Sequence, residues 1–375
     1  MQFTPQRLDR VHKALQKENM NTLVVTRRQD VQYLTGYHNP TDVFPIGCVL
    51  VQGEQPVIIM SELQYELAKK DAMMARIKTI DSVNGELGIN SRGVKFWSAI
   101  QEVIQIAGVH DGVIGVQHDC LPIREFEYLK NILPQAGFKD AAPLLWRLRQ
   151  VKDDAEIESI RNAVMVAEIG IRTAFEMVVP GVAEDTASIE IEAAMRAAGG
   201  QVRGIRAAVL SGGNARFPHA QPTPKRIGTD DLVVVDITVS DSGYFAEVAR
   251  TLHTKKPSKA QNNAYESLLK MCSIAEEKLT PDSSIADVTN AMMKSIKKQP
   301  CQNNLIQPVG NSIGLDLHEP PSLFPENKLL LREGMVFSIH PTCYVKDIGC
   351  IRMADIMLIT HDGSETITSL TRETM

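Results

Sequence analysis

The stretch Leu232-Val-Val-Val-Asp-Ile-Thr-Val239 decides how this chain is read, because Asp236 interrupts an otherwise apolar, strand-forming run. A carboxylate buried in such a strand is costly unless a metal ion, an arginine or a histidine offsets its charge. The following stretch, Gly243-Tyr-Phe-Ala-Glu-Val-Ala-Arg-Thr251, carries a second misplaced acid. Strand alternation puts Glu247 on the face of Phe245 and Ala249, opposite Ala246 and Val248. A turn at Ser240 to Gly243 would pair the two strands and let the carboxylates converge. Paired carboxylates suit a metal ion, or acid/base work with one pKa raised. The plain structural alternative is an ion pair between Asp236 and a nearby arginine such as Arg250.

Three histidines stand in similarly unusual places. His219 lies in Arg216-Phe-Pro-His-Ala-Gln-Pro-Thr223, a proline-punctuated loop, and loops often carry function. His318 lies in Gly314-Leu-Asp-Leu-His-Glu-Pro-Pro321, and His340 closes Met335-Val-Phe-Ser-Ile-His340 just before Pro341. A single histidine is ordinarily structural. Three of them beside misplaced carboxylates point to a site.

Around these segments the chain reads as two domains, because 375 residues exceed what one core usually holds. We expect an α/β domain over 1–145 and an α+β domain over 150–375. In the first, strands at Thr22 to Thr26, Ile46 to Val51, Pro56 to Met60, Ile77 and Val113 to Val116 alternate with helices. The pattern breaks between Ala141 and Gln150. Asp153 and Asp154 then open a long helix that Pro180-Gly181 ends, and a second helix spans about Glu184 to Ala198. Strands at Ala207 to Leu210, Leu232 to Val239 and Tyr244 to Thr254 follow. Helices from about Ala260 and Ile285 precede a last strand-rich block.

With 43% apolar and 23% charged residues the chain can bury a sizeable core, and a net charge of −5 argues against nucleic acid as a partner. The absence of GxGxxG after a strand removes the case for dinucleotide binding. Met1 to Leu8 carry no basic segment followed by an apolar run, and no stretch approaches the roughly 18 apolar residues of a spanning helix. A cytoplasmic protein with no membrane partner is therefore expected. The six cysteines form no CxxC pair, and reduced thiols are expected.

The same segments resemble the creatinase/prolidase/aminopeptidase P superfamily over nearly the whole chain. Arg7-Leu-Asp-Arg-Val11 through Tyr33-Leu-Thr-Gly-Tyr37 resembles its N-terminal domain. Leu148 to Ile157 with Ile160-Arg-Asn-Ala163 resembles the entry into its catalytic domain, and Ser211-Gly-Gly-Asn214 with Pro218-His219 resembles its substrate-side loop. Val233 to Asp236, Gly243-Tyr244 with Arg250-Thr251, Gly310 to Pro320, Glu333 to Phe337 and Arg352 to Asp355 follow in order. The resemblance implies a pita-bread C-terminal domain and a homodimer.

It also implies a ligand set, which this sequence departs from. The family's metallopeptidases hold two divalent ions through two Asp, one His and two Glu. The first Asp is present as Asp236, whereas Glu247 takes the second position, Asn311 the His, His340 the first Glu and Ala354 the second. Two dications need bridging carboxylates to offset their repulsion, and Ala354 supplies none. No cofactor is the first expectation. The alternative is one Mn, Fe or Zn ion on Asp236, Glu247 and His340.

Creatinase, a metal-free member, shows that this scaffold can cleave C–N bonds with a histidine carrying the proton, and His219 matches that histidine. The acids of creatinase would fall on Ala249, His340 and Ala354, so creatine is not the expected substrate. The first functional expectation is therefore metal-independent hydrolysis of a C–N bond in a small amino-acid derivative or amidine-like compound. His219 and His318 would move protons and Asp236 or Glu247 would orient them. Arg352 and Arg250 would clamp a substrate carboxylate, with Glu319 and Asn311 also touching substrate. The alternatives are a peptidase acting on Xaa-Pro dipeptides or peptides through the single-ion site, and a non-catalytic protein that binds a peptide or small ligand.

Overall fold

A computed structural model describes all residues except 1–3, 40–42, 73–74, 82–92, 202–203, 218–219, 300, 347–348 and 373–375. The chain divides into two compact units, Met1–Arg149 and Gln150–Met375.

In the first unit, helix α1 (Pro5–Lys17) starts where the Thr4 side chain caps the Arg7 N–H and Pro5 takes the first turn, and it buries Leu8, Val11 and Leu15 at helical spacing. The elements β1 (Thr22–Val25), α2 (Arg28–Thr35), β2 (Ile46–Val51), β3 (Val57–Ser61), α3 (Tyr65–Asp71), β4 (Arg76–Ile80), α4 (Val94–Ile106), β5 (Val113–Val116), α5 (Ile123–Ile132) and β6 (Gly137–Asp140) follow. The strands form one mixed sheet in the order β4-β3-β2-β1-β5-β6. Its apolar face packs on Phe96, Trp97, Ile100 and Ile104 of α4.

A helix, α6 (Ala142–Gln150), occupies the stretch where the sequence pattern breaks. Pro143 obscured it in the sequence, yet proline is tolerated in a first helical turn, where its missing N–H has no partner to lose. Leu144 and Leu145 are buried.

The second unit begins with α7 (Asp154–Met177), whose N-terminus is closed by a reciprocal pair between the Asp153 and Glu156 side chains and backbone N–H groups. Helix α7 lies along β8 (Leu232–Asp241) and β9 (Tyr244–His253). The approach is close at Gly170, where a β-carbon would sit 2.9 Å from Ile237 Cδ1. With α8 (Glu184–Ala197) it covers the sheet β7-β8-β9, in which β7 spans Arg206–Ser211. Helices α9 (Lys259–Lys278) and α10 (Ile285–Ser295) pack against each other, and their apolar side chains share a core with Phe337, Ile339 and Met357.

After β10 (Leu305–Ile306), the strands β11 (Gly310–Ser312), β12 (Glu319–Ser322), β13 (Val336–Ile339), β14 (Thr342–Val345), β15 (Gly349–Arg352), β16 (Asp355–Ile359) and β17 (Ser364–Thr366) complete the chain. They form the sheets β12-β11-β13-β16-β17 and β10-β14-β15. Cys301 and Cys343 are paired as a disulfide with Cα atoms 5.6 Å apart, which differs from the expectation of six reduced thiols. Their 42-residue separation hid the pairing from the sequence. Among the described residues no helix is long and apolar enough to cross a membrane.

The hairpin β8-β9 positions the site. Ser242 and Gly243 both have positive φ, 48° and 83°, and a two-residue turn of that kind matches the twist of paired strands. The register it sets puts Asp236 opposite Ala249 and Thr238 opposite Glu247. Opposed residues share a face, so Asp236 and Glu247 lie diagonally on the same face. Replacing Asp153 by Ala removes the α7 cap and should cost about 1 kcal/mol of stability, read as a lower urea midpoint with an unchanged slope.

Candidate active site

A cavity of about 350 Å³ opens over that face and is lined by Asp236, Glu247, Asn311, His318, His340, Arg206 and Arg352, with Leu210, Phe217, Val234 and Leu317 among its apolar walls. Its centre is an ion cluster. Arg352 Nη2 donates to Glu247 Oε1, its Nε lies 3.4 Å from Asp236 Oδ2, and its Nη1 donates to Thr342 Oγ1 at 2.8 Å. Ser338 Oγ donates to the other Glu247 oxygen at 2.6 Å. Arg206 Nη1 stands 3.8 Å from Asp236 Oδ2 and is 37% exposed. Asp236 Oδ1 is buried with no hydrogen-bond partner among the described residues.

His340 is held by Asn311, whose Oδ1 lies 2.8 Å from His340 Nε2. The Asn311 amide nitrogen donates to the carbonyls of Ser312 and Leu317, which leaves its oxygen facing the ring. An acceptor at that distance requires the proton of a neutral ring to sit on Nε2. Burial lowers the His340 pKa, Arg352 lowers it further and Glu247 opposes both, so the neutral ring is favoured. Burial pushes the Glu247 carboxyl up, but the Arg352 guanidinium, with help from the Ser338 hydroxyl, outweighs it and holds the pKa at about 2.

The structure thus brings together Asp236, Glu247, Asn311, His318, His340 and Arg352. His318 is exposed on the cavity wall, its ring centre 6.4 Å from that of His340. His219 lies outside the described residues.

Two expected substrate contacts are corrected. Arg250 is 1% exposed and spends its donors on Asp355 and on the carbonyls of Ala249, Ala354, Leu370 and Thr371. It neither pairs with Asp236 nor faces the cavity, because neighbouring strand residues point to opposite faces. Glu319 is 3% exposed and bonds Lys152 Nζ at 3.2 Å and the Asp316 N–H. Its carboxylate holds structure.

Arg206 and Ser338 escaped the sequence reading. Ser338 sits in the apolar run Val-Phe-Ser-Ile, the same signal that singled out Asp236. Arg206 pairs with Thr238 and so shares the Asp236 face, a fact that only strand register reveals.

An α/β domain is followed by a domain whose sheets set acids, histidines and an arginine around a small cavity, the plan of a pita-bread protein. The sequence matches Metallopeptidase family M24 over residues 158–361 and the Creatinase/Prolidase N-terminal domain over residues 7–151. The chain belongs to the metallopeptidase family M24. It is 25% identical to the Xaa-Pro dipeptidase of Pyrococcus furiosus over 98% of this chain and 99% of that protein. It is 25% identical to the Xaa-Pro dipeptidase of Lactobacillus helveticus over 96% of each. The prolidase of Pyrococcus horikoshii superimposes with a TM-score of 0.83 at 23% identity, over 99% of this chain and 100% of that one. The X-Pro aminopeptidase of Thermotoga maritima superimposes with a TM-score of 0.85 at 18% identity, over 98% and 99%.

Peptidases cleave C–N bonds, in agreement with the expected hydrolase. Two other expectations are overturned. Metal-independent, creatinase-like cleavage of an amidine-like compound gives way, because relatives that match from end to end are named Xaa-Pro dipeptidase. The expectation of no cofactor falls with it, because the family is one of metallopeptidases.

The side chains present nevertheless do not fit a pair of divalent ions. Asn311 turns its oxygen to His340, Ala354 has no donor, and Arg352 lies between the two remaining acids. Among the described residues no three His, Cys, Asp or Glu side chains are grouped to hold an ion.

Arg250→Met removes one of the two guanidiniums on Asp355 and the donor to four carbonyls, and should destabilise the fold by about 1–3 kcal/mol in urea titration without a selective rise in KM. For Glu247, a pKa depressed below the usual carboxylate range means stability that is present above roughly pH 4.3 and lost as pH falls toward about 2. Glu247→Gln should flatten this acid limb of Tm against pH; an unchanged slope would refute the assignment.

Proposed function

We propose that this chain hydrolyses the peptide bond of small Xaa-Pro dipeptides, working as a cytoplasmic homodimer. The observation that carries the reading is the end-to-end likeness to proteins named Xaa-Pro dipeptidase, which cover 96–99% of their own length against this chain. The cavity supports it, since about 350 Å³ lies in the range of small-ligand pockets. Its apolar wall suits a proline ring.

The named side chains divide the work by chemistry. Asp236 Oδ1, buried and unpartnered, accepts from the substrate ammonium or from the attacking water. Arg206, partly exposed at the cavity, has donors for a carboxylate. His318 has a ring nitrogen within the same cavity to pass a proton to the leaving proline nitrogen. His340 keeps its Nε2 proton on Asn311 and shapes the wall.

The test is proline release from Ala-Pro and Gly-Pro, with and without added Mn²⁺, alongside calorimetric binding. Turnover of Xaa-Pro substrates above that of Ala-Ala is expected, and Asp236→Asn should lower it by about 100-fold or more while the circular dichroism spectrum is kept. Binding without turnover in either condition would sink the hydrolase reading.

A further inference from the structure

The acids that this cavity retains already have a cation. Arg352 reaches Glu247 with Nη2 and Asp236 with Nε, while Thr342 fixes its third nitrogen. Its backbone is pinned as well, because Thr251 Oγ1 accepts from the Arg352 N–H at 2.8 Å and donates to the Arg352 carbonyl at 2.8 Å. Thr251 lies four residues beyond Glu247 on β9, so the arginine and the acid it meets are tied to one strand. The guanidinium is therefore held in place from both ends.

The surroundings leave room for it. Ala249 stands opposite Asp236 in the hairpin, and Ala354 pairs with Ala249 across the next strand edge. Both alanines are fully buried, and at Ala354 a methyl group stands where the family resemblance implies a ligand glutamate. The charge count agrees. Asp236 and Glu247 face Arg352 and Arg206, two acids against two bases, and the cavity has no surplus negative charge to draw in a dication.

We propose that Arg352 is the resident cation of this cavity, occupying the space between Asp236 and Glu247 in which a divalent ion would have to sit, so that an ion enters only by displacing it. The inference concerns cation competition and does not depend on the substrate. A guanidinium within a few Å of a dication repels it, and the same two carboxylates cannot serve both fully. Removing the arginine should therefore uncover ion affinity that the intact chain masks.

The experiment is Mn²⁺ titration of the full chain and of Arg352→Ala, followed by electron paramagnetic resonance and by the shift of Tm with Mn²⁺. Arg352→Ala should bind Mn²⁺ about tenfold or more tightly than the parent and show a Tm that rises with Mn²⁺ concentration. The double variant Asp236→Asn with Arg352→Ala should lose that gain. Should Arg352→Ala not fold, Arg352→Lys keeps one charge but cannot fork between two acids, and it should give an intermediate affinity. Equal or weaker Mn²⁺ binding in the folded Arg352 variants, with no Tm response, would overturn the proposal. So would a parent chain that holds Mn²⁺ as tightly as the variants.

Discussion

Two carboxylates on one buried face of a hairpin demand positive charge, and much of the second unit is arranged around meeting that demand. Asp236 and Glu247 are carried by adjacent strands whose register is set by the Ser242-Gly243 turn. Without a cation between them they would repel each other in a place where water screens the repulsion only weakly. Arg352 supplies the charge, Ser338 takes the remaining Glu247 oxygen, and Thr342 and Thr251 hold the arginine. Side chains from β8, β9, β13, β14 and β15 thus meet at one ion cluster. The cluster links the two sheets that contain β8-β9 and β13 to the short one that contains β14 and β15.

A second buried pair shows how the same chemistry can be purely architectural. Arg250 and Asp355 lie at 2.8 Å, each about 1% exposed, and Arg372 adds a further bond to Asp355. A shallow pocket borders Arg372, Glu276 and Thr368, but neither Arg250 nor Asp355 lines it, and each donor of the two guanidiniums has a partner. The difference from the Asp236 cluster lies in the orphaned Oδ1 and the open space beside it. Burial alone therefore does not mark a functional acid. Burial beside a cavity with an unspent acceptor does.

Family membership and local chemistry pull in different directions at this site, and both are properties of the molecule. The M24 match and the full-length Xaa-Pro dipeptidase relatives define the scaffold and the class of reaction. Asn311, His340, Ala354 and Arg352 define what that scaffold now holds at its centre. At the two positions where the resemblance implies ligand glutamates, His340 and Ala354 carry no negative charge. The guanidiniums of Arg352 and Arg206 then balance the two acids that are left.

Sequence alone determined the two-domain α/β and pita-bread plan, the α7 boundaries through Asp153 and Pro180, and the singling out of Asp236 and Glu247. The pita-bread plan rests on the resemblance of ordered motifs to a known family, and the other features on periodicity, capping and the cost of a charge in an apolar strand, which are local. It misplaced Arg250 and Glu319 and missed α6, the Cys301–Cys343 pair, Arg206 and Ser338. In those cases the decisive quantity was which face a side chain takes or what lies across from it. Arg250 sits three residues from Glu247 and its side chain points to the other face of β9, toward Asp355. Arg352 comes from more than a hundred residues away to lie between the acids. Only the tertiary structure could decide that, because an ion pair is set by distance in space, and strand register converts sequence separation into distance only once the sheets have formed.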